Sequence, residues 1–350
     1  MPYSQRIKAK YSCFSCGGGS TMGYKLAGFD VIGCNEIDPK MMSCYIENHK
    51  PKYSFLEPIQ TFKLRKDLPA ELYDLDILDG SPPCSSFSMA GNREKDWGKD
   101  KVFREGQAMQ VLDTLFFDFI DLAKELQPKV VIAENVKGLL LGEAKSYVIQ
   151  IYKDFEKAGY VVQHFLLDAS KMGVPQRRER VFFIALRKDL VEPFMEQVDM
   201  FTRLPKVDMV FKERPIPFKE IKEITGKTMP LQKDIDKWHL IRQGGSQDEI
   251  EANKAGFNCV KADDEMVLPT ITGNQRTDSL YSGIMHSTEP RKLNINEFKM
   301  AGSYPMDYNF IHTEKENLKS YLIGMSVPPV MTAQIASRIY EQWLSKLCEK

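Results

Sequence analysis

Asp79-Gly80-Ser81-Pro82-Pro83-Cys84-Ser85-Ser86-Phe87-Ser88 sets one cysteine behind two prolines, just after the apolar pair Ile77-Leu78. Proline fixes its own φ and restricts the residue before it. A thiol on such a loop is held at one spot. Open α/β folds gather their chemistry at the carboxyl ends of their strands, and the apolar run before this loop reads as such a strand. A stiff turn over a buried cysteine would give the same local pattern, so the reading rests on what other segments bring to the same edge.

Glu134-Asn135-Val136 closes a second apolar run, Val130–Ala133. A carboxylate at the end of a buried strand is placed to work as an acid. The same residues also suit the entry to a helix at Lys137-Gly138-Leu139. Gln176-Arg177-Arg178-Glu179-Arg180 stands just before the apolar Val181–Leu186. Arginines there are either solvated or bind a phosphate or a base edge through paired hydrogen bonds. Near the N-terminus, Gly17, Gly18, Gly19 and Gly23 follow Tyr11–Phe14 and open a helical pattern. Glycine lets backbone approach a ligand, and a helix start offers free N–H groups. The order is not G-x-G-x-x-G, so the dinucleotide fingerprint fails. Glu36 ends the next apolar run and is placed to accept from ribose hydroxyls, which suits a nucleoside-type ligand without pyrophosphate. Cys13-Phe14-Ser15-Cys16 has the spacing of half a zinc knuckle, but no second pair or histidines accompany it, and no metal is assigned.

These residues need a frame. Strand patterns over Tyr11–Phe14, Phe29–Asn35, Leu75–Leu78, Val130–Ala133, Val161–Leu167 and Val181–Leu186 alternate with helical ones. That alternation predicts an α/β, Rossmann-like, mostly parallel sheet with helices on both faces. Met109, Leu112, Phe116, Phe119, Ile120 and Ala123 predict a core helix over Gln107–Leu126, stopped by Pro128. After Asp189 the periodicity fails, and Pro205, Pro215, Pro217, Pro230, Pro269 and Gly244-Gly245 punctuate the chain. A smaller irregular domain is expected over 191–317. Met331–Leu347 returns to an amphipathic helix, so 1–190 and 318–350 are expected to form one domain around that insertion.

With 350 residues, 43% hydrophobic and 27% charged, the chain can build a sizeable core. Its formal net charge of zero is unlike that of most nucleic-acid binders, so any basic face must come from local clustering. Ten Lys and Arg residues between Arg203 and Arg242 offer one, though acids are interspersed and a solvated surface would look the same. Seven irregularly spaced cysteines suit a reducing compartment. No apolar run reaches membrane length and the N-terminus lacks a secretory pattern. A soluble, cytoplasmic protein is expected, nucleoid-associated if bacterial.

Taken in order, Phe14-x-x-Gly17-Gly18-Gly19, Glu36, Pro82-Pro83-Cys84, Glu134-Asn135-Val136, Gln176-x-Arg178-x-Arg180, Arg291-Lys292-Leu293-Asn294-Ile295-Asn296-Glu297 and Gly324-Met325-Ser326-Val327-Pro328-Pro329 resemble the motifs of the cytosine-C5 DNA methyltransferases. The resemblance spans nearly the whole chain. It implies S-adenosyl-L-methionine as cofactor and double-stranded DNA as partner. Carbon 5 of cytosine is a weak nucleophile, so the resemblance implies that Cys84 attacks C6 of a flipped-out base and activates C5. Glu134 would contact N3 and the exocyclic amine and protonate N3, Arg180 would hold O2, and Arg178 would support the site or a phosphate. Ser81, Pro83, Asn135, Val136, Gln176 and Thr270 are implied as substrate contacts. Phe14 would pack on the adenine, Ser15, Cys16, Gly17, Gly18 and Gly19 would approach the methionine part, and Glu36 would bind the ribose. Ile37, Ile59, Pro82 and Leu115 complete the implied cofactor set. The proton on C5 must also leave, and the sequence names no base for it. Residues from Val191 to Arg291 would read the DNA sequence, with Pro269-Thr270-Ile271-Thr272 either a signature of that domain or a short edge strand.

Four positions depart from the family pattern. Cys16 stands for the first glycine of Phe-x-Gly-x-Gly-Gly, Glu57-Pro58-Ile59 for Gly-Asp-Ile, Gly324-Met325 for Gly-Asn, and Asn294 for threonine. Cys84, Glu134 and Arg180 are retained. The expectation is therefore an active, sequence-specific DNA (cytosine-5-)-methyltransferase of a restriction-modification or regulatory system, monomeric, with a cognate restriction endonuclease as a further implied partner. The alternatives are a transfer RNA cytosine-C5 methyltransferase and a DNA-binding member without catalysis. The long recognition segment and the lack of a Cys-Phe-Thr tripeptide favour DNA.

Overall fold

A computed structural model of the chain describes residues 6–83, 100–101, 110–111, 114–200, 202–250, 259–273, 282–310 and 316–347. Two compact units emerge, one of Met1–Leu167, Glu179–Val210 and Ala333–Lys350, the other of Asp168–Arg178 and Phe211–Thr332.

The first unit is built on a seven-stranded sheet of β1 (Arg6–Cys13), β2 (Phe29–Glu36), β3 (Tyr53–Leu56), β4 (Ile77–Gly80), β5 (Val130–Val136), β6 (Tyr160–Asp168) and β7 (Glu179–Arg187). Their spatial order is β3-β2-β1-β4-β5-β7-β6. β3, β2, β1, β4 and β5 run parallel, whereas β7 lies antiparallel to β5. The expected mostly parallel, Rossmann-like sheet is thus present. The apolar runs at Ile77-Leu78 and Val130–Ala133 are central and buried, as strands covered on both faces must be.

Side chains alternate across a strand, and β4 shows what this does. Leu78 and Gly80 face α4 (Leu115–Leu126), whose Phe119 lies so close that a Cβ on Gly80 would sit 2.6 Å from its ring. Asp79 faces the other way, toward α1 (Gly19–Leu26), so helices cover both faces. α2 (Pro39–His49) begins with Pro39, and the Asp38 side chain accepts from the amides of Lys40 and Met41. Pro58 opens the short α3 (Ile59–Phe62), and α5 (Lys145–Lys157) joins α4 in the main core through Ile151 and Phe155.

Three local expectations change. The helix expected from Gln107 starts at Leu115; Gln110–Val111 instead pairs antiparallel with Asp100–Lys101, and Met109 and Leu112 lie outside the described residues. β3 had no counterpart in the sequence reading. The first unit continues to Val210 rather than ending at 190, because the C-terminal helix holds that stretch. The Trp343 indole donates to the Lys206 carbonyl at 2.7 Å, and Gln342 bonds the backbone of Asp208 at both its N–H and its C=O.

The second unit has few regular elements: α6 (Gln232–Leu240), α7 (Ile295–Ala301), α8 (Glu316–Met325) and short pieces. A buried polar network runs through its described residues. Fully buried Glu297 accepts from Arg291 Nη1 and Nη2 at 2.8 and 3.0 Å and from the amides of Glu223 and Asn294 at 2.9 and 2.8 Å. Asn294 caps α7 and completes a reciprocal capping box with Glu297. Glu289 accepts from Arg291 Nε at 2.7 Å and from the amides of Thr225 and Gly226.

Burial pushes the Glu289 carboxyl up, but the bonds from Arg291, Thr225 and Gly226 outweigh it and hold its pKa at about 2. A carboxyl whose folded pKa lies below its unfolded one, ~4.3, stabilises above that value and loses its contribution as the pH falls toward the folded pKa. Circular dichroism on acid titration is expected to show loss of structure developing between roughly pH 4 and pH 2. Glu289→Gln should destabilise the neutral protein by ~2 kcal/mol and flatten that acid limb; an acid limb identical to the parent's would contradict this.

Candidate active site

Glu134 and Arg180 meet at the carboxyl edge of the sheet. In the β5–β7 ladder Arg180 stands opposite Val136, so Glu134, two residues earlier on the same face, is its diagonal neighbour. Long side chains bridge that diagonal, and Arg180 Nε lies 3.0 Å from Glu134 Oε1 with the side chains 16% and 12% exposed. A second guanidinium nitrogen, Nη1, donates to the Glu179 carbonyl at 2.8 Å. Burial lowers the Arg180 pKa and Glu134 opposes that shift, but a guanidinium stays charged throughout. The pair is therefore a fixed cation beside a carboxyl group at a partly open edge.

Asn135 turns the other way. Its Nδ2 donates to the Pro82 carbonyl at 3.2 Å, and its Oδ1 accepts from the Val136 amide at 2.8 Å. The end of β5 thus grips the loop that β4 hands on. Pro82 is buried, with Ser81 and Pro83 half-buried beside it. Asn135 and Pro82 come together as a backbone clamp, and Val136 supplies the rung opposite Arg180. Cys84 lies outside the described residues.

The glycine loop sits between β1 and α1. Phe14 and Cys16 both have positive φ, 51° and 48°, and Gly18 follows at 91°. Left-handed backbone costs a non-glycine residue about 1–2 kcal/mol, so something must hold the arc. Ser15 N–H donates to the Asn35 carbonyl and Gly18 N–H to the Ser15 carbonyl. Glu36 accepts from the amides of Cys16, Ile37 and Asp38 at 2.7, 2.8 and 3.0 Å. Burial raises the Glu36 pKa while those three amides pull it down, with a net rise.

A nucleoside-type ligand suits this set. A carboxylate has about four acceptor positions, and three amides leave room for one further donor such as a ribose hydroxyl. The half-buried Phe14 ring stands 6.4 Å from that of Phe119 and offers an aromatic face. α1 has no side-chain cap, so Gly17, Gly18 and Gly19 present backbone. Ile59 and Leu115 are buried, Ile37 half-buried. Glu57 is drawn away by Arg65 Nη1 at 2.9 Å, so the Glu57-Pro58-Ile59 segment offers no free carboxylate.

One group escaped sequence reasoning. Asp79 is buried and accepts four hydrogen bonds: from Lys10 Nζ at 3.3 Å and from Ser12, Ser20 and Tyr24 hydroxyls at 3.1 Å each. Lys10 is itself fully buried, 3.6 Å from the Tyr24 ring centroid. Burial lowers its pKa to about 8 against the pull of Asp79. The available signal was a carboxylate following the apolar pair Ile77-Leu78 within one short strand.

Gln176 and Arg178 belong to the second unit and act as clamps there. Arg178 is 2% exposed and donates to the carbonyls of Ile271 and Gly324, both at 3.0 Å. Gln176 accepts from the Ile271 amide and donates to the Ala301 carbonyl. The Thr270 hydroxyl donates to the Arg177 carbonyl at 2.7 Å, and Gln176 bridges Leu268 in parallel, so Pro269-Thr270-Ile271-Thr272 runs alongside this segment. Gly324 packs backbone on backbone, since a Cβ would lie 2.3 Å from the Thr272 carbonyl oxygen. These contacts explain why Asp168–Arg178 falls with the second unit.

A family model for the C-5 cytosine-specific DNA methylases matches residues 9–341. The chain belongs to that family. It is 38% identical to the type II methyltransferase M.NgoPII of Neisseria gonorrhoeae over 94% of each chain. It is 29% identical to the type II methyltransferase M.FnuDI of Fusobacterium nucleatum, over 96% of this chain and 95% of the relative. Among solved structures, a candidate DNA modification methyltransferase encoded within an E. coli prophage superposes with a TM-score of 0.66 at 20% identity, covering 96% of this chain and 99% of that one. As the sequence motifs implied, this is a DNA cytosine-C5 methyltransferase by family. No described helix is long and apolar enough to cross a membrane.

In this methylase Arg178 holds two carbonyls that one ammonium cannot reach together in the same way. Arg178→Lys is expected to destabilise the protein by about 2–4 kcal/mol, read by thermal denaturation. A melting curve like the parent's would show that the fork is not what joins residues 271 and 324.

Proposed function

We propose that this methylase uses S-adenosyl-L-methionine to methylate C5 of a cytosine flipped out of duplex DNA, with Cys84 as nucleophile. The observation that carries the reading is the Glu134–Arg180 pair, level with the loop that Asn135 grips through Pro82. Phe14, Glu36, Ile37, Ile59, Leu115, Pro82 and the Ser15–Gly19 backbone would hold the cofactor, which supplies an electrophilic methyl group.

The chain's own residues do the rest. The two prolines hold the Cys84 thiolate for attack on C6, which makes C5 nucleophilic. Glu134 gives a proton to N3 as negative charge builds on the ring. Arg180 keeps Glu134 in place through Nε and holds O2 of the base with its remaining donors. Gln176 and Arg178 order the backbone around Thr270, so their part is support. With the methyl group on C5, a water molecule takes the C5 proton, Cys84 leaves as a thiolate, and N3 returns its proton to Glu134.

The second unit would read the DNA sequence, and the first would bind cofactor and base. The relatives' names as type II methyltransferases support a role in a restriction-modification system. In that role the protein would act as a cytoplasmic monomer alongside a cognate endonuclease.

Duplex DNA carrying 5-fluorocytosine at the methylated position blocks removal of the C5 substituent and should trap a protein–DNA adduct stable to denaturing electrophoresis. Cys84→Ala should bind DNA without forming it, and Glu134→Gln should lower kcat by ~100-fold or more. Methylation by the Cys84→Ala variant would sink the mechanism.

A further inference from the structure

One carboxylate holds both ends of the glycine loop. Ser12 lies just before the loop and Ser20 just after its last glycine, and both hydroxyls donate to the same oxygen, Asp79 Oδ2, at 3.1 Å. Tyr24, a turn further along α1, donates to Oδ1. The β1–β4 register pairs Ser12 with Asp79 and Cys13 with Gly80, which sets anchors and acceptor level at the edge of the sheet. Between the anchors the chain passes through Phe14 and Cys16 at positive φ, so an arc released at either end would relax. Asp79 is also two residues from Ser81, on the strand that leads into Pro82-Pro83.

We propose that Asp79 is a positioning residue for methyl-donor binding, fixing the Cys13–Gly19 arc through Ser12 and Ser20 and tying it to the strand that carries the nucleophile loop. Four donors use up a carboxylate's acceptor positions, so Asp79 acts through the loop and not on substrate. Lys10 supplies a counter-charge 3.3 Å from the same oxygen, Asp79 Oδ2. The proposal rests on the reading of this loop as the S-adenosylmethionine site.

Calorimetry with S-adenosylmethionine and anisotropy with duplex DNA, on full-length protein, test it. Asp79→Asn is expected to weaken donor binding by about tenfold or more, and Ser20→Ala by about threefold to tenfold, with DNA affinity held within about twofold. Ser20→Ala keeps the Lys10–Asp79 pair and serves if Asp79→Asn does not fold. Donor affinity unchanged in Ser20→Ala overturns the proposal. So does a parallel fall in donor affinity, DNA affinity and melting temperature, which would make the cluster merely structural. A parent protein that takes up no S-adenosylmethionine overturns instead the reading beneath it.

Discussion

A lysine with no exposure at all sits in the middle of this sheet, and the chemical edge is organised around what it needs. Burying an ammonium costs several kcal/mol unless a partner is exact in geometry. Lys10 finds Asp79 on the neighbouring strand and the Tyr24 ring above it. The carboxylate then has acceptor positions left, and Ser12, Ser20 and Tyr24 fill them. One buried charge pair thereby joins β1, β4 and α1 where the glycine loop departs. Glu36 repeats the device on the next strand, spending its oxygens on amides of Cys16, Ile37 and Asp38.

The two arginines of the Gln-x-Arg-x-Arg segment show how neighbours in sequence separate in use. Arg180 stays beside a carboxyl group at a partly open edge, whereas Arg178 is sealed among carbonyls. Both are guanidiniums two residues apart, and spacing alone assigns them similar work. What distinguishes them is the company of residues about ninety and one hundred and fifty positions away, which no local pattern reveals.

The frame was legible where one force dominated. Val130–Ala133 and Ile77-Leu78 are apolar on both faces because helices cover both, so their runs announce buried strands. β3 was not, since Tyr53–Leu56 is four residues at a sheet edge with alternate side chains exposed. The start of α4 was misplaced because Gln107–Leu112 carries apolar residues at helical spacing, and part of it pairs as strand instead. Of the site, the motif residues named themselves by type and order. Asp79 did not: inside β4 it reads as one polar residue in a strand, and its meaning depends on Lys10, its diagonal neighbour on β1. The second unit was opaque because buried ion pairs such as Arg291–Glu297 leave no periodic trace.

β7 runs against its neighbour. Hydrophobic patterning carries no direction, so the run Val181–Leu186 is silent on this, yet the polarity decides who meets whom. An opening residue on a strand of the opposite sense would land at the far rim, roughly 20 Å off. Reversed, it lies abreast of the residue that finishes β5. The connecting stretch can therefore be lengthened, trimmed or exchanged over evolution, and acid and guanidinium still face one another.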